Sequence, residues 1–132
     1  MFSVHYDDTS GIIRCTSGGF LTVAEVHEYA SAVHESMGRS WREFGRVAML
    51  VISNDATVQS AEVMDATNAN LRRFGPADRL AIVVSSQLVK MQAGRTLDGE
   101  RFRTFASEEE ALAWLIAEMP ARHTAVRRAA SA

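Results

Sequence analysis

Near the start of the chain, apolar positions alternate with polar ones. FSVHY (2–6) has the two-residue period of a strand, and IIRCT (12–16), after the polar turn DDTSG, reads as a second strand. Two strands joined so briefly predict an antiparallel hairpin. The period then changes: Val23, Val26, Ala30, Val33 and Met37 recur at helical spacing. Thr22 and Glu25 form a capping box at the start of this helix, and Gly38 is placed to end it in a left-handed conformation. Residues 39–45 then form a connection anchored by Trp41 and Phe44.

Two later stretches break both periods. RVAMLVI (46–52) and RLAIVV (79–84) are short and almost wholly apolar, the pattern of strands covered on both faces. Between them a helical segment runs from about 60 to 74, with Val63, Thr67, Leu71 and Phe74 on one side and Gly75–Pro76 at its end. Two such strands around a helix predict parallel pairing through a right-handed crossover. A third helix follows Ser85, carrying Leu88 and Met91. RFRTF (101–105), with arginines at 101 and 103, reads as an edge strand. Ser107 caps the last helix, Glu110 completes a second capping box, and Leu112, Leu115, Ile116 and Met119 form its apolar face before Pro120. The order β-β-α-β-α-β-α-β-α predicts an α/β fold, a mixed sheet of about five strands with four helices packed on it. Residues 1–119 make one domain; 120–132 are a basic, flexible tail.

Composition narrows the function. A chain of 132 residues that is 47% hydrophobic can bury a core without disulfides or metal. A single cysteine, Cys15, excludes an intrachain disulfide and fits a reducing compartment. The N-terminus lacks the basic start and apolar core of a signal peptide, and no apolar run reaches the roughly 18–20 residues of a membrane span. A cytoplasmic protein is therefore expected. Net charge is −2, but the tail beyond residue 118 holds three arginines and no acid, which leaves −5 on the body. Phosphate binding needs clustered Lys and Arg, so nucleic acid is an unsuitable partner.

The sequence offers no catalytic constellation. There is no G-x-S-x-G elbow, no H-E-x-x-H, no C-x-x-C and no phosphate-binding glycine loop. His27 and His34 share a helix face but stand about 10 Å apart, too far for one metal ion. Cys15 lies in a strand and reads as a buried structural thiol, with His5 across the hairpin the nearest candidate base. Arg72–Arg73 and the basic residues from Lys90 to Arg95 read as solvated helix charges. No catalytic residue, metal or cofactor is expected.

Four stretches carry a family resemblance: GIIRCTSGGFLTVAEVHEYASAV, RVAMLVIS, RLAIVVSS and RFRTFASEEEALAWL. Together, over residues 2–118, they resemble the STAS superfamily, whose type member is an anti-sigma-factor antagonist. The likeness is closer to the SpoIIAA-like branch of bacterial STAS-like proteins. It implies a SpoIIAA/STAS-like fold and a non-enzymatic protein-interaction or regulatory module. In antagonist-type members a serine after the third strand is phosphorylated by a kinase partner, and the added charge breaks binding. Ser60 lies at the matching place, and Ser53, Asn54, Asp55, Thr57 and Gln59 make up the partner-contact turn before it. The chain departs from that pattern, because Gln59 replaces the usual acidic residue and Ala61–Glu62 follow. Glu62 would raise the cost of adding roughly −1.5 to −2 charges. Ser60 also reads as a simple N-cap, worth roughly 1 kcal/mol.

The same resemblance implies a second role, as carrier or sensor of a small apolar, lipid-like ligand. Phe20, Trp41, Phe44, Met64, Phe74 and Met91 would line its pocket, although core packing accounts for the same residues. A homodimer through an edge strand or the helix at 60–74 is a further expectation.

Overall fold

Alternation and continuous apolar runs become strands where the sequence analysis places them. The computed structural model describes residues 2–18, 21–53, 61–84 and 99–118. Their elements are β1 (Phe2–Tyr6), β2 (Ile12–Ser17), α1 (Val23–Phe44), β3 (Ala48–Ser53), α2 (Ala61–Leu71), β4 (Arg79–Val84), β5 (Phe102–Phe105) and α3 (Glu108–Glu118). The expected helix after Ser85 and the tail at 120–132 lie outside the described residues.

The five strands form one sheet in the order β1-β2-β3-β4-β5. β1 pairs antiparallel with β2, with Val4 opposite Cys15. The pairs β2–β3, β3–β4 and β4–β5 are parallel. The two apolar runs therefore lie side by side and point the same way, with Met49 opposite Leu80. The hairpin turn is built by Asp7. Its carboxylate accepts from the Thr9 N–H at 2.9 Å and the Ser10 hydroxyl at 2.8 Å. Gly11 closes the turn at φ 76°, and the Phe44 ring packs where a β-carbon would sit.

Helices cover both faces. On one, Val33 and Met37 of α1 pack with Ile13, Cys15, Met49, Leu80 and Phe74. On the other, Ala111 and Leu115 of α3 pack with Ile12, Ala48, Leu50 and Ala81. Strands β3 and β4 thus bury side chains both ways, which is why their sequences do not alternate. α1 and α2 touch each other, and Asn70 Nδ2 donates to the Ala30 carbonyl at 3.3 Å.

Several boundaries differ from expectation. Gly38 does not stop α1, which runs on to Gly45; this residue takes the left-handed conformation at φ 77° and donates its N–H to the Trp41 carbonyl. Met37, Ser40 and Phe44 keep the helical spacing and are buried. Burying Phe44 is worth about 1.5–3 kcal/mol and outweighs the roughly 1 kcal/mol that a helical glycine costs. Trp41 and Phe44 are accordingly helical residues, not anchors of a loop. α2 ends at Leu71. Beyond it Arg73 and Phe74 donate to the carbonyls three residues back, tightening the last turn. In α3 the buried residues are Ala111 and Leu115, whereas Ile116 is 57% exposed. The helix meets the sheet along a narrower stripe than its apolar content suggested. Its N-cap is as expected, with the Glu110 N–H donating to Ser107 Oγ at 3.2 Å.

Candidate functional site

The two ends of the parallel sheet differ in kind. The end from which the strands start is locked by side-chain bonds. Asp78, 3% exposed, precedes β4 and accepts from the Val47 N–H at 2.7 Å, the Gly75 N–H at 2.7 Å and the Trp41 indole N–H. Buried Ser40 donates to the Arg46 carbonyl at 2.7 Å and lies 3.2 Å from the Gly11 carbonyl. Arg101 donates to the Phe74 carbonyl at 2.9 Å. These bonds tie the chain entering β2, β3, β4 and β5 to α1 and to the turn after α2, and they leave no acceptor of Asp78 for a ligand. Neither Asp78 nor Ser40 stands out in the sequence as a structural lock. The available signal was the Gly-Pro-Ala-Asp turn placed directly before an apolar strand.

The opposite end carries the sequence-derived candidates. Ser17 of β2 pairs with Ser53 of β3, which pairs with Val84 of β4, so three strand ends lie in one row. In open α/β sheets ligand sites form at this carboxyl edge where successive crossovers diverge. Ser53 is the last residue of β3, and α2 begins at Ala61. Asn54, Asp55, Thr57, Gln59 and Ser60, the expected switch segment, lie outside the described residues. On the face covered by α3, Arg14 in the middle of β2 forms an ion pair with Glu108 in the first turn of α3. That contact ties the last helix to the second strand.

The aromatic residues expected around an apolar ligand are packed against protein atoms. Phe44 is buried over Gly11, and Phe74 is buried with its ring centroid 5.6 Å from that of Phe102. Trp41 is half-buried beneath the Arg73 guanidinium, 5.0 Å from the ring centroid. Phe20 and Met91, and the side chain of Met64, lie outside the described residues. Cys15 is fully buried and hydrogen-bonded to the Tyr29 hydroxyl; burial pushes its thiol up to about 12. His5 does not reach it, because His5 pairs with Arg14 and is exposed, whereas Cys15 belongs to the core under α1. His27 and His34 are exposed, and His34 contacts Arg73. Among the described residues no cluster of His, Cys, Asp or Glu could hold a metal ion, and no helix is long and apolar enough to cross a membrane.

No family model matches the chain, and no curated protein matches it by sequence. Among solved structures it is similar to an uncharacterised protein of the DUF3478 family with a SpoIIAA-like fold from Shewanella loihica PV-4. The two superpose with a TM-score of 0.58 at 17% identity, over 87% of this chain and 92% of the other. With its hairpin, its run of parallel strands and helices on both faces, this chain has a SpoIIAA-like fold, the architecture that the STAS resemblance implied.

Proposed function

We propose that the chain is a non-enzymatic protein-interaction module of the bacterial cytoplasm, which meets its partner at the carboxyl edge of the sheet through Ser53 and residues 54–60. Strand order carries this reading. β2 to β5 run in sequence order, so successive crossovers all step in one direction. A ligand crevice in an open α/β sheet forms where crossovers diverge to opposite sides. Without that divergence the strand ends make a rim rather than a cleft, and a rim suits a protein surface. Ser60, immediately before α2, is the regulatory position. Phosphorylation there adds roughly −1.5 to −2 charges beside Glu62 and weakens an interface formed with the neutral serine.

Quantitative affinity capture from cell extract tests this, with the whole chain as bait beside Ser60→Asp and His5→Asp. His5 is exposed on β1, away from that edge. The expected result is a partner enriched by the unmodified chain and by His5→Asp but lost with Ser60→Asp, all three baits having the same melting temperature. Equal capture by all three baits, or no enriched partner, would overturn the reading.

A further inference from the structure

At the other end of the sheet, on the face covered by α3, lies a cavity of about 200 Å³ that the reading above does not use. It is lined by Arg79, Gly99, Glu100, Arg103, Trp114 and Glu118. Strands and helix bring these together. Arg79 opens β4, Arg103 lies on the edge strand β5, and Trp114 and Glu118 lie in the second half of α3.

The lining has two arginines, two glutamates and an indole, so it carries both signs in balance. Its pairing is incomplete. One Arg79 terminal nitrogen, Nη1, donates to the carbonyls of Pro76 and Asp78 at 2.7 and 2.9 Å. Arg79 Nε is shielded from solvent and has no hydrogen-bond partner among the described residues. The Glu118 carboxylate stands 3.5 Å from it, an ion-pair distance too long for a hydrogen bond. Because Nε is shielded, Arg79 acts on the cavity through its charge and the other atoms that line it. The Arg103 guanidinium lies 5.7 Å from the centroid of the Trp114 ring, which holds it at the cavity wall.

We propose that this cavity binds a small zwitterion, with its carboxylate on Arg79 and Arg103 and its ammonium group on Glu100 and Glu118. A bare anion would meet the two glutamates and a bare cation the two arginines, so neither fits as well as a molecule carrying both charges. At about 30 Å³ per water the space equals roughly seven waters, enough to admit a small amino acid with water beside it.

The probe is β-alanine, compared with propionate and propylamine, which share its three-carbon chain but carry one charge each. The readout is the Trp114 indole signal in proton–nitrogen spectra of the full chain, identified by its loss in Trp114→Phe. β-Alanine is expected to shift it saturably, and the single-charge probes to bind at least about tenfold more weakly. Arg103→Gln and Glu118→Gln, both at solvent-accessible side chains, should each weaken β-alanine by a similar factor, while Arg72→Gln, outside the cavity, leaves it unchanged. No saturable shift would overturn the proposal. So would propionate binding as tightly as β-alanine, or undiminished binding by both cavity variants. None of these results bears on Ser60 or the carboxyl edge.

Discussion

The indole N–H of Trp41 donates to both carboxylate oxygens of Asp78, at 3.1 and 3.2 Å, joining the last turn of α1 to the residue just before β4. The same carboxylate takes the N–H groups of Val47 and Gly75. One acidic side chain thus satisfies three donors at the point where two central strands begin.

Removing this carboxylate leaves buried N–H groups without acceptors. Asp78→Ala should therefore cost about 3 kcal/mol or more, since each orphaned buried donor costs about 1–3 kcal/mol. Asp78→Asn retains one acceptor but turns an NH₂ toward a donor, and it should fall between the two. Urea denaturation measures both, and a loss below 1 kcal/mol for Asp78→Ala would refute the account.

Glycine substitutions test the course of α1. Gly38 is interior to the helix, and an added β-carbon would meet only the flexible end of Arg42, at 3.5 Å. Gly38→Ala should stabilise the protein by about 0.5–1 kcal/mol. If Gly38 instead ended the helix in a left-handed conformation, the same change would destabilise. Gly11→Ala is the contrasting case. Its φ of 76° strains alanine, and the Phe44 ring lies 2.6 Å from the new carbon. A loss of about 2–4 kcal/mol is expected, from backbone strain and overpacking together. Thermal or chemical melts of the two variants should move in opposite directions.

Cys15 should behave as a reporter of unfolding. It is fully buried, and burial raises its thiol to about 12, while the bond from Tyr29 pulls the other way. The thiolate is the reactive form. A disulfide reagent at mildly alkaline pH should leave the native protein unmodified and label it at a rate that rises with denaturant alongside the loss of structure. Rapid labelling without denaturant would show that the strand is not covered as described.

Acid should weaken the protein through three surface carboxylates. Asp7 is held below its ordinary value of 3.8 by the Thr9 N–H and then by the Ser10 hydroxyl. Glu25 and Glu43 are held below 4.5, by the Thr22 N–H and by the Tyr6 hydroxyl followed by Arg39. In each case the folded state binds the proton less tightly than the unfolded chain. Their contribution is therefore complete above these ordinary values and is lost as pH falls through the lowered ones. Asp7→Asn with Glu43→Gln should lower stability at neutral pH and flatten its decline in acid. Denaturant midpoints across that window decide the matter, and an unchanged slope would count against Asp7 and Glu43.

Much of the architecture was legible in the residues. The alternation of FSVHY and IIRCT marked the hairpin, and the two continuous apolar runs marked strands buried on both faces. The capping boxes at Thr22 and Ser107 marked two helix starts. Each of these signals is local, because a period or a cap depends on neighbours within one or two turns. Gly38 shows where local reading fails. A glycine after an apolar helical face looks like a stop until Phe44, further along, finds its place over Gly11.

The carboxyl edge was partly legible. Ser53, expected in the turn, is instead the last residue of β3, while the role of Ser60 rests on resemblance and a proposal. The Gly-Pro-Ala-Asp turn was the one faint sign of Asp78, and nothing marked the roles of Arg79 and Glu118, since a charge at a strand start or a glutamate near a helix end is ordinary on a surface. Sequence alone thus determined where the five strands lie, where α1 and α3 begin, and that two central strands run parallel, because periodicity, caps and burial on both faces are properties of one stretch of chain. Tertiary structure decided where α1 ends, which carboxylate locks the start of the sheet, and which charges share a cavity. Those depend on groups far apart in the chain that meet only when the sheet and its helices close on one another.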